Sequence, residues 1–143
     1  MPEVNINPTV QLGQNVIFEG DITIRAGAQI GNNVTFYPDV TIGENTRIFD
    51  GSVIGRPPMR TGVTTRPLAD GDSSLTIGAD CVIGANCVLY NKLHISDRVL
   101  IGDLASIREG CRIGNDVVVG RGVLMMYDTT VHDRTRIIDG AII

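Results

Sequence analysis

The chain contains no tryptophan, and only three Phe and three Tyr are spread over its 143 residues. A core built on large aromatic rings is therefore excluded. Seventeen glycines, scattered rather than clustered, point instead to many short elements joined by many turns. Basic residues are also scarce: there is a single Lys, and the net charge is −4. Without a basic stripe, a nucleic-acid partner is not expected. No apolar run approaches the roughly 20 residues that cross a bilayer, and the opening MPEVNINPTVQLG has neither a basic n-region nor an apolar h-region. The expectation is a chain with no membrane span that resides in the cytoplasm. Cysteine is limited to Cys81, Cys87 and Cys111, an odd set without CxxC spacing. These read as small buried thiols in a reducing compartment, with no disulfide and no metal role.

A fixed period of six replaces the missing signals. From Ile6 onward an aliphatic or aromatic residue returns at Leu12, Phe18, Ile24, Ile30, Phe36, Ile42, Ile48 and Ile54. Four residues after each lies a smaller apolar or hydroxyl residue: Val10, Val16, Ile22, Ala28, Val34, Val40, Thr46 and Ser52. Neither a 3.6-residue nor a 2-residue period yields this spacing, so amphipathic helices and long alternating strands are both ruled out. Three residues after each large apolar position stand Asn15, Asp21, Gly27, Asn33, Asp39, Asn45 and Gly51. These residue types enter the left-handed backbone region at least cost. Each hexad is thus a short strand plus a corner, and three corners close a triangular coil of 18 residues. Coils stack at about 4.8 Å, which sets Phe18 over Phe36 with Ile54 next.

The period breaks at residues 56–74, RPPMRTGVTTRPLADGDSS, and resumes at Ile77. A gap of 23 residues from Ile54 to Ile77 is not a multiple of six, so this segment is an insertion. It reads either as a surface excursion or as a flap that lines a ligand cleft, with Arg56, Arg60 and Arg66 available to phosphates. A second run then holds register at every sixth residue from Ile77 to Ile143. It stops there with no capping segment. The expectation is one domain over 1–143 whose natural chain continues further, or whose open end is covered by association.

The hexads IGNNVT, IGENTR, IGADCV, IGANCV and IGNDVV resemble the hexapeptide-repeat family of left-handed parallel β-helices, and the resemblance extends over nearly the whole chain. It implies an all-β solenoid of about six to seven coils, interrupted by the 56–74 loop. The left hand is an implication of the family alone, because the general crossover rule favours the opposite hand. Within the family, LYNKLH followed by ISDRVL is similar to the UDP-N-acetylglucosamine O-acyltransferases and related nucleotide-amino-sugar N-acyltransferases, as are the INPTV opening and the insertion after an Ile-Gly. There a histidine at this place in the hexad is the catalytic base, which assigns that role to His94.

Residues around His94 are unusual in their own right. Lys92, Arg98 and Leu104 occupy three consecutive corner positions where Asp, Asn or Gly is the rule, and Arg134 is the other exception in this run. Local rules tend to fail at functional sites. Stacking by 18 puts Thr76 below His94 and Arg112 above it, while Asn91, Glu109 and Tyr127 form a parallel column. The resemblance implies acyl transfer from acetyl-CoA, another acyl-CoA or an acyl carrier to a nucleotide-linked sugar, with no permanently bound cofactor. Tyr90, Asn91, Glu109, Arg56, Arg60 and Arg66 are the candidates for the sugar side, and Arg108, Arg112 and Arg121 for the donor phosphates. Asp97, Asp103 and Glu109 are the candidates to orient the imidazole. The resemblance also implies a homotrimer, with the donor in the groove between subunits.

Two other readings compete. A γ-class carbonic anhydrase needs three metal-binding histidines, and only His94 and His132 exist. His132 lies two coils from Ser96, roughly 10 Å along the axis, so the two do not form a dyad within one chain. A regulatory or assembly module that self-associates without catalysis is the alternative function.

Overall fold

The computed structural model describes residues 1–63, 67–68 and 71–143. Each hexad forms a strand of two to four residues, too short to stand alone and stabilised by parallel neighbours one coil below and above. The first face stacks Val4–Ile6, Ile22–Ile24, Val40–Ile42, Leu75–Ile77, His94–Ile95, Arg112–Ile113 and Thr130–Val131. The second stacks Gln11–Leu12, Gln29–Ile30, Arg47–Ile48, Val82–Ile83, Leu100–Ile101, Val118–Val119 and Arg136–Ile137. The third stacks Ile17–Phe18, Thr35–Phe36, Val53–Arg56, Val88–Tyr90, Ser106–Ile107 and Leu124–Met125. Together these make the expected left-handed parallel β-helix of about seven coils, and none of the described residues is helical. None of them forms a helix long and apolar enough to cross a membrane.

Register follows the 18-residue coil. Ile22 pairs with Val40, and Phe18 pairs with Phe36, whose ring stacks on it at 5.6 Å and 10°; Ile54 is next in that column. The insertion leaves the stack intact: Ile42 pairs with Ile77 and Ile54 with Leu89, each 35 residues apart. Seventeen extra residues are thus looped out at the edge between the third and first faces.

The prism is filled by its own side chains. Ile54, Ile83, Leu89, Ile95, Ile101, Ile107 and Ile113 are fully buried, as are Cys81, Cys87 and Cys111. Each buried aliphatic contributes about 1.5–3 kcal/mol. Inward hydroxyls occur where two coils demand them: Thr46 Oγ1 donates to Gly78 O and accepts from Cys81 N, and Ser52 Oγ does the same with Gly84 and Cys87. All three thiols are free and donate weakly to carbonyls of the next coil, at Ser96, Gly102 and Met126.

Corners obey the expected rule with one exception. Asn15, Gly27, Asn33, Asp39, Asn45 and Gly51 have positive φ, as do Asp80, Asn86, Gly110, Asp116, Gly122, Asp128 and Gly140. Asp21 does not. Its carboxylate instead accepts the Glu3 N–H at 2.7 Å, which accounts for an acid at that position.

A second ladder runs beside the corners. Asp97 Oδ1 accepts from Ala79 N, Asn115 Oδ1 from Asp97 N and Asp133 Oδ1 from Asn115 N, each capping the coil below. A Cβ at Gly78 would stand 2.3 Å from Asp97 Oδ1 and 2.7 Å from the Ser96 carbonyl carbon. The Gly of the Ile-Gly pairs is therefore set by close approach of the next coil, since φ at Gly78 and Gly84 is not positive.

Candidate functional site

His94 opens a strand on the first face, flanked inward by buried Leu93 and Ile95, so alternation turns its imidazole outward to solvent. It pairs in register with Thr76 below and Arg112 above, as the 18-residue spacing requires. The corner just before it, Tyr90 to Lys92, lies one coil above the point where the insertion leaves the prism, and the insertion returns beside it. The result is an open groove of about 500 Å³. Thr76, Leu93, His94, Arg112, Gly110 and Cys111 form its floor, and Asp72, Ser74 and Lys92 its wall.

Asp72 and Ser74 have no counterpart among the residues singled out from the sequence. Asp72 accepts the Ser74 N–H and the Ser74 hydroxyl, both at 2.9 Å. Those two bonds, with the charge of Lys92 behind them, hold its carboxyl below the usual carboxylate value. The groove therefore carries an anion beside a neutral or cationic set. The signal in the sequence was the Asp-Ser-Ser spacing of an Asx turn, which indicates a turn but not where it lies.

A second groove of about 410 Å³ adjoins the first across Lys92. Pro57, Pro58, Arg60, Leu68, Gly71 and Ser73 of the insertion enclose it together with Asn91. Arg60 Nη2 donates to Leu68 O at 3.1 Å, and Ser73 Oγ donates to Asp39 Oδ2. Asn91 is 7% exposed, and its Oδ1 is buried with no hydrogen-bond partner among the described residues. An unpaired buried amide oxygen costs about 1–3 kcal/mol.

Behind these grooves Tyr90 is sandwiched between two guanidiniums. Arg56 lies 5.0 Å and Arg108 4.6 Å from the ring centroid, and Arg56 Nη1 donates to the Tyr90 hydroxyl at 2.6 Å. Arg108 also pairs with the buried Glu109 at 2.9 Å. Cation–π contacts of this kind contribute about 0.5–2 kcal/mol each. Arg56, Tyr90, Arg108 and Glu109 thus form one connected cluster beside the corner carrying Asn91 and Lys92.

The expected residues therefore divide. His94, Arg112, Asn91 and Arg60 line the two adjoining grooves, whereas Arg56, Tyr90, Arg108 and Glu109 support them from behind. Arg121 sits on the edge between the second and third faces and binds Asp139 at 3.0 Å. Arg66 lies outside the described residues. Of the acids considered for orienting the imidazole, Asp97 and Asp103 cap backbone N–H groups of Ala79 and Ala85, and Glu109 serves Arg108. Among the described residues, His94 has no side-chain hydrogen bond. Lys92, Arg98 and Leu104 keep the left-handed backbone, with φ of 57°, 56° and 65°, but occupy three different edges of one coil. Only Lys92 borders the groove of His94. His132 is exposed on the edge between the first and second faces, away from both grooves. Among the described residues, no group of three His, Cys, Asp or Glu is placed to hold a metal ion.

Comparison with known proteins agrees with this architecture. Residues 21–56 match the family model of the bacterial transferase hexapeptide (six repeats). No curated protein sequence matches the chain. Among solved structures, a candidate acetyltransferase from Bacillus cereus superposes with a TM-score of 0.63 at 16% identity, over 94% of this chain and 72% of that one. The UDP-N-acetylglucosamine acyltransferase of Campylobacter jejuni gives 0.59 at 21% identity, over 99% of this chain and 66% of that one. A variant of the perosamine N-acetyltransferase of Caulobacter crescentus, in complex with CoA and GDP-perosamine, gives 0.51 at 24% identity, over 96% of this chain and 50% of that one. At these identities the likeness is one of fold, and the chain spans about two thirds of the Campylobacter protein and half of the Caulobacter one.

Proposed function

We propose that this hexapeptide-repeat β-helix is an acyltransferase that moves an acyl group, most simply acetyl, from a coenzyme A thioester to an amino or hydroxyl group of a nucleotide-linked sugar. The observation that carries the reading is the position of His94: the one imidazole facing a polar groove that the insertion walls, on a fold shared with sugar acyltransferases. In the proposed step the acceptor nitrogen or oxygen attacks the thioester carbonyl and His94 takes the acceptor's proton. A new C–N or C–O bond forms as the C–S bond breaks, and the proton passes to the departing sulfur as free coenzyme A thiol. Direct transfer suits the cysteines, which face inward and whose thiols burial pushes above their ordinary range.

Arg112, exposed beside His94, is the proposed contact for donor phosphates. Arg108 and Arg121 are committed to Glu109 and Asp139 and receive no binding role. Ile17, Thr35, Val53, Val88, Ser106 and Leu124 form an uncharged outward column on the third face, which suits packing against copies of the chain in a trimer. Light scattering giving a mass other than three chains would remove that part.

The test of the reading is thiol release from acetyl-CoA in the presence of UDP- and GDP-linked amino sugars. Thiol that appears only when both substrates are present supports it. Release that never depends on the sugar, across the panel, would replace it with the non-catalytic assembly reading.

A further inference from the structure

The edge between the second and third faces carries a recess that the acyl-transfer step does not use. Directly after the large apolar position, this edge holds Gly13, Gly31, Gly84, Gly102 and Gly120, and its departures are Phe49 and, at the last coil, Ile138. Close approach of the next coil sets the glycines: a Cβ at Gly13 would stand 2.5 Å from the Gly31 carbonyl carbon, and one at Gly31 would meet the Asp50 carboxylate. Phe49 occupies the same slot, since its N–H donates to Ile83 O as the Gly31 N–H donates to Ile48 O. Its ring is 40% accessible, with the Arg47 guanidinium 5.2 Å from the centroid, so the core does not account for an aromatic there. One and two coils below the ring, the absent side chains of Gly31 and Gly13 leave a recess of about 310 Å³. Gln11, Gln29 and Arg47 line it in register, one coil apart. Both Gln side chains are exposed, and neither forms a hydrogen bond among the described residues. Asp50 lines it too: its Oδ1 accepts the Asn32 N–H at 2.8 Å, which fixes the carboxylate and leaves Oδ2 to a ligand.

We propose that this recess binds an uncharged saccharide, with Phe49 as its platform and Gln11, Gln29 and Asp50 as the groups that take its hydroxyls. The size falls within the roughly 300–1,000 Å³ of small-molecule sites. A pyranose ring offers apolar C–H faces to an exposed aromatic ring. Its hydroxyls both donate and accept, which matches side-chain amides in either sense and a carboxylate as acceptor. Charge decides against a nucleotide or another phosphate. Residues 1–55 carry Glu3, Glu19, Asp21, Asp39, Glu44 and Asp50 against Arg25 and Arg47, so a phosphate would enter an anionic field with one of those acids in the recess itself. The recess shares no residue with the grooves around His94, and the inference stands apart from acyl transfer.

NMR titration of the full chain with D-glucose, D-galactose, D-mannose and N-acetyl-D-glucosamine, and separately with adenosine and UDP, tests it. The side-chain amide resonances of Gln11 and Gln29 should move saturably with at least one of the sugars, and that sugar should hold them more tightly than adenosine or UDP. Phe49→Gly installs the residue the column favours. It should keep the thermal midpoint and weaken the sugar by about tenfold or more. Should Phe49→Gly not fold, Gln29→Leu, similar in volume, decides by the same loss. Shifts with none of the sugars, tighter binding of adenosine or UDP at these amides, or undiminished sugar affinity in the deciding variant would overturn the assignment. Amide shifts that follow protein concentration and not sugar would overturn it as well, in favour of a contact between copies of the chain.

Discussion

At the scale of the residue, the corners and the inward slots make separate demands. Leu104 adopts φ of 65° at an exposed corner, 65% accessible, where its side chain neither caps nor packs. A left-handed Leu costs about 1–2 kcal/mol relative to residues that tolerate the region. Leu104→Asn is therefore expected to raise stability by about 1 kcal/mol in urea unfolding; a loss would show that Leu104 packs against something beyond this chain. Arg98 shares the strain but recovers part of it through Asp116, one coil above in the same slot, at 2.8 Å. That hydrogen bond holds the Asp116 carboxyl below its ordinary value.

The inward thiols make a second prediction at this scale. Burial raises Cys81, Cys87 and Cys111 above the ordinary value of 9.0. The folded chain keeps protons that the unfolded chain releases. Their contribution is thus whole below about pH 9 and is lost as pH rises from there through the folded values. Urea midpoints of the wild type should fall between pH 8 and pH 10.5 more steeply than those of a variant with all three changed to Ala. Parallel slopes would mean the thiols reach solvent.

Among the elements, the hexad and the insertion differ in what the sequence discloses. The hexad was legible almost throughout, since its inward positions, its corners and its 18-residue partners all follow from one period. Asp21 was misplaced because an acid at a corner can serve a φ angle or a neighbouring N–H, and here Glu3 takes it. Asp97 and Asp103 carry the same ambiguity: one oxygen of each caps an N–H of the coil below. The insertion has no period, so nothing in its letters could bring Asp72, Ser74 or Ser73 to the grooves. Deleting residues 57–73 shortens the 23-residue spacing from Ile54 to Ile77 to the six of an ordinary hexad. The shortened chain should fold with little change in melting temperature while losing sugar-nucleotide binding. A chain that unfolds on deletion would show the insertion to be part of the prism.

On the scale of the whole molecule, stability and function occupy different parts of one solid. Among the described residues the interior is filled with aliphatic side chains, and the grooves lie on faces and edges. One edge departs from the regular prism, and there the insertion, the Arg56–Tyr90–Arg108 stack, the unpaired Asn91 and the outward His94 meet. Stacking by 18 alone makes His94 and Arg112 neighbours, and they pair in register. The three irregular corners that flank His94 in the sequence dispersed to three edges, because adjacency along a triangular coil places consecutive corners on different sides. The most direct measurement is steady-state acyl transfer by wild type and His94→Ala with saturating acetyl-CoA and sugar nucleotide. The account predicts a kcat lower by about 10²–10⁴-fold with the sugar KM little changed, and a variant that turns over as fast as the wild type would contradict it.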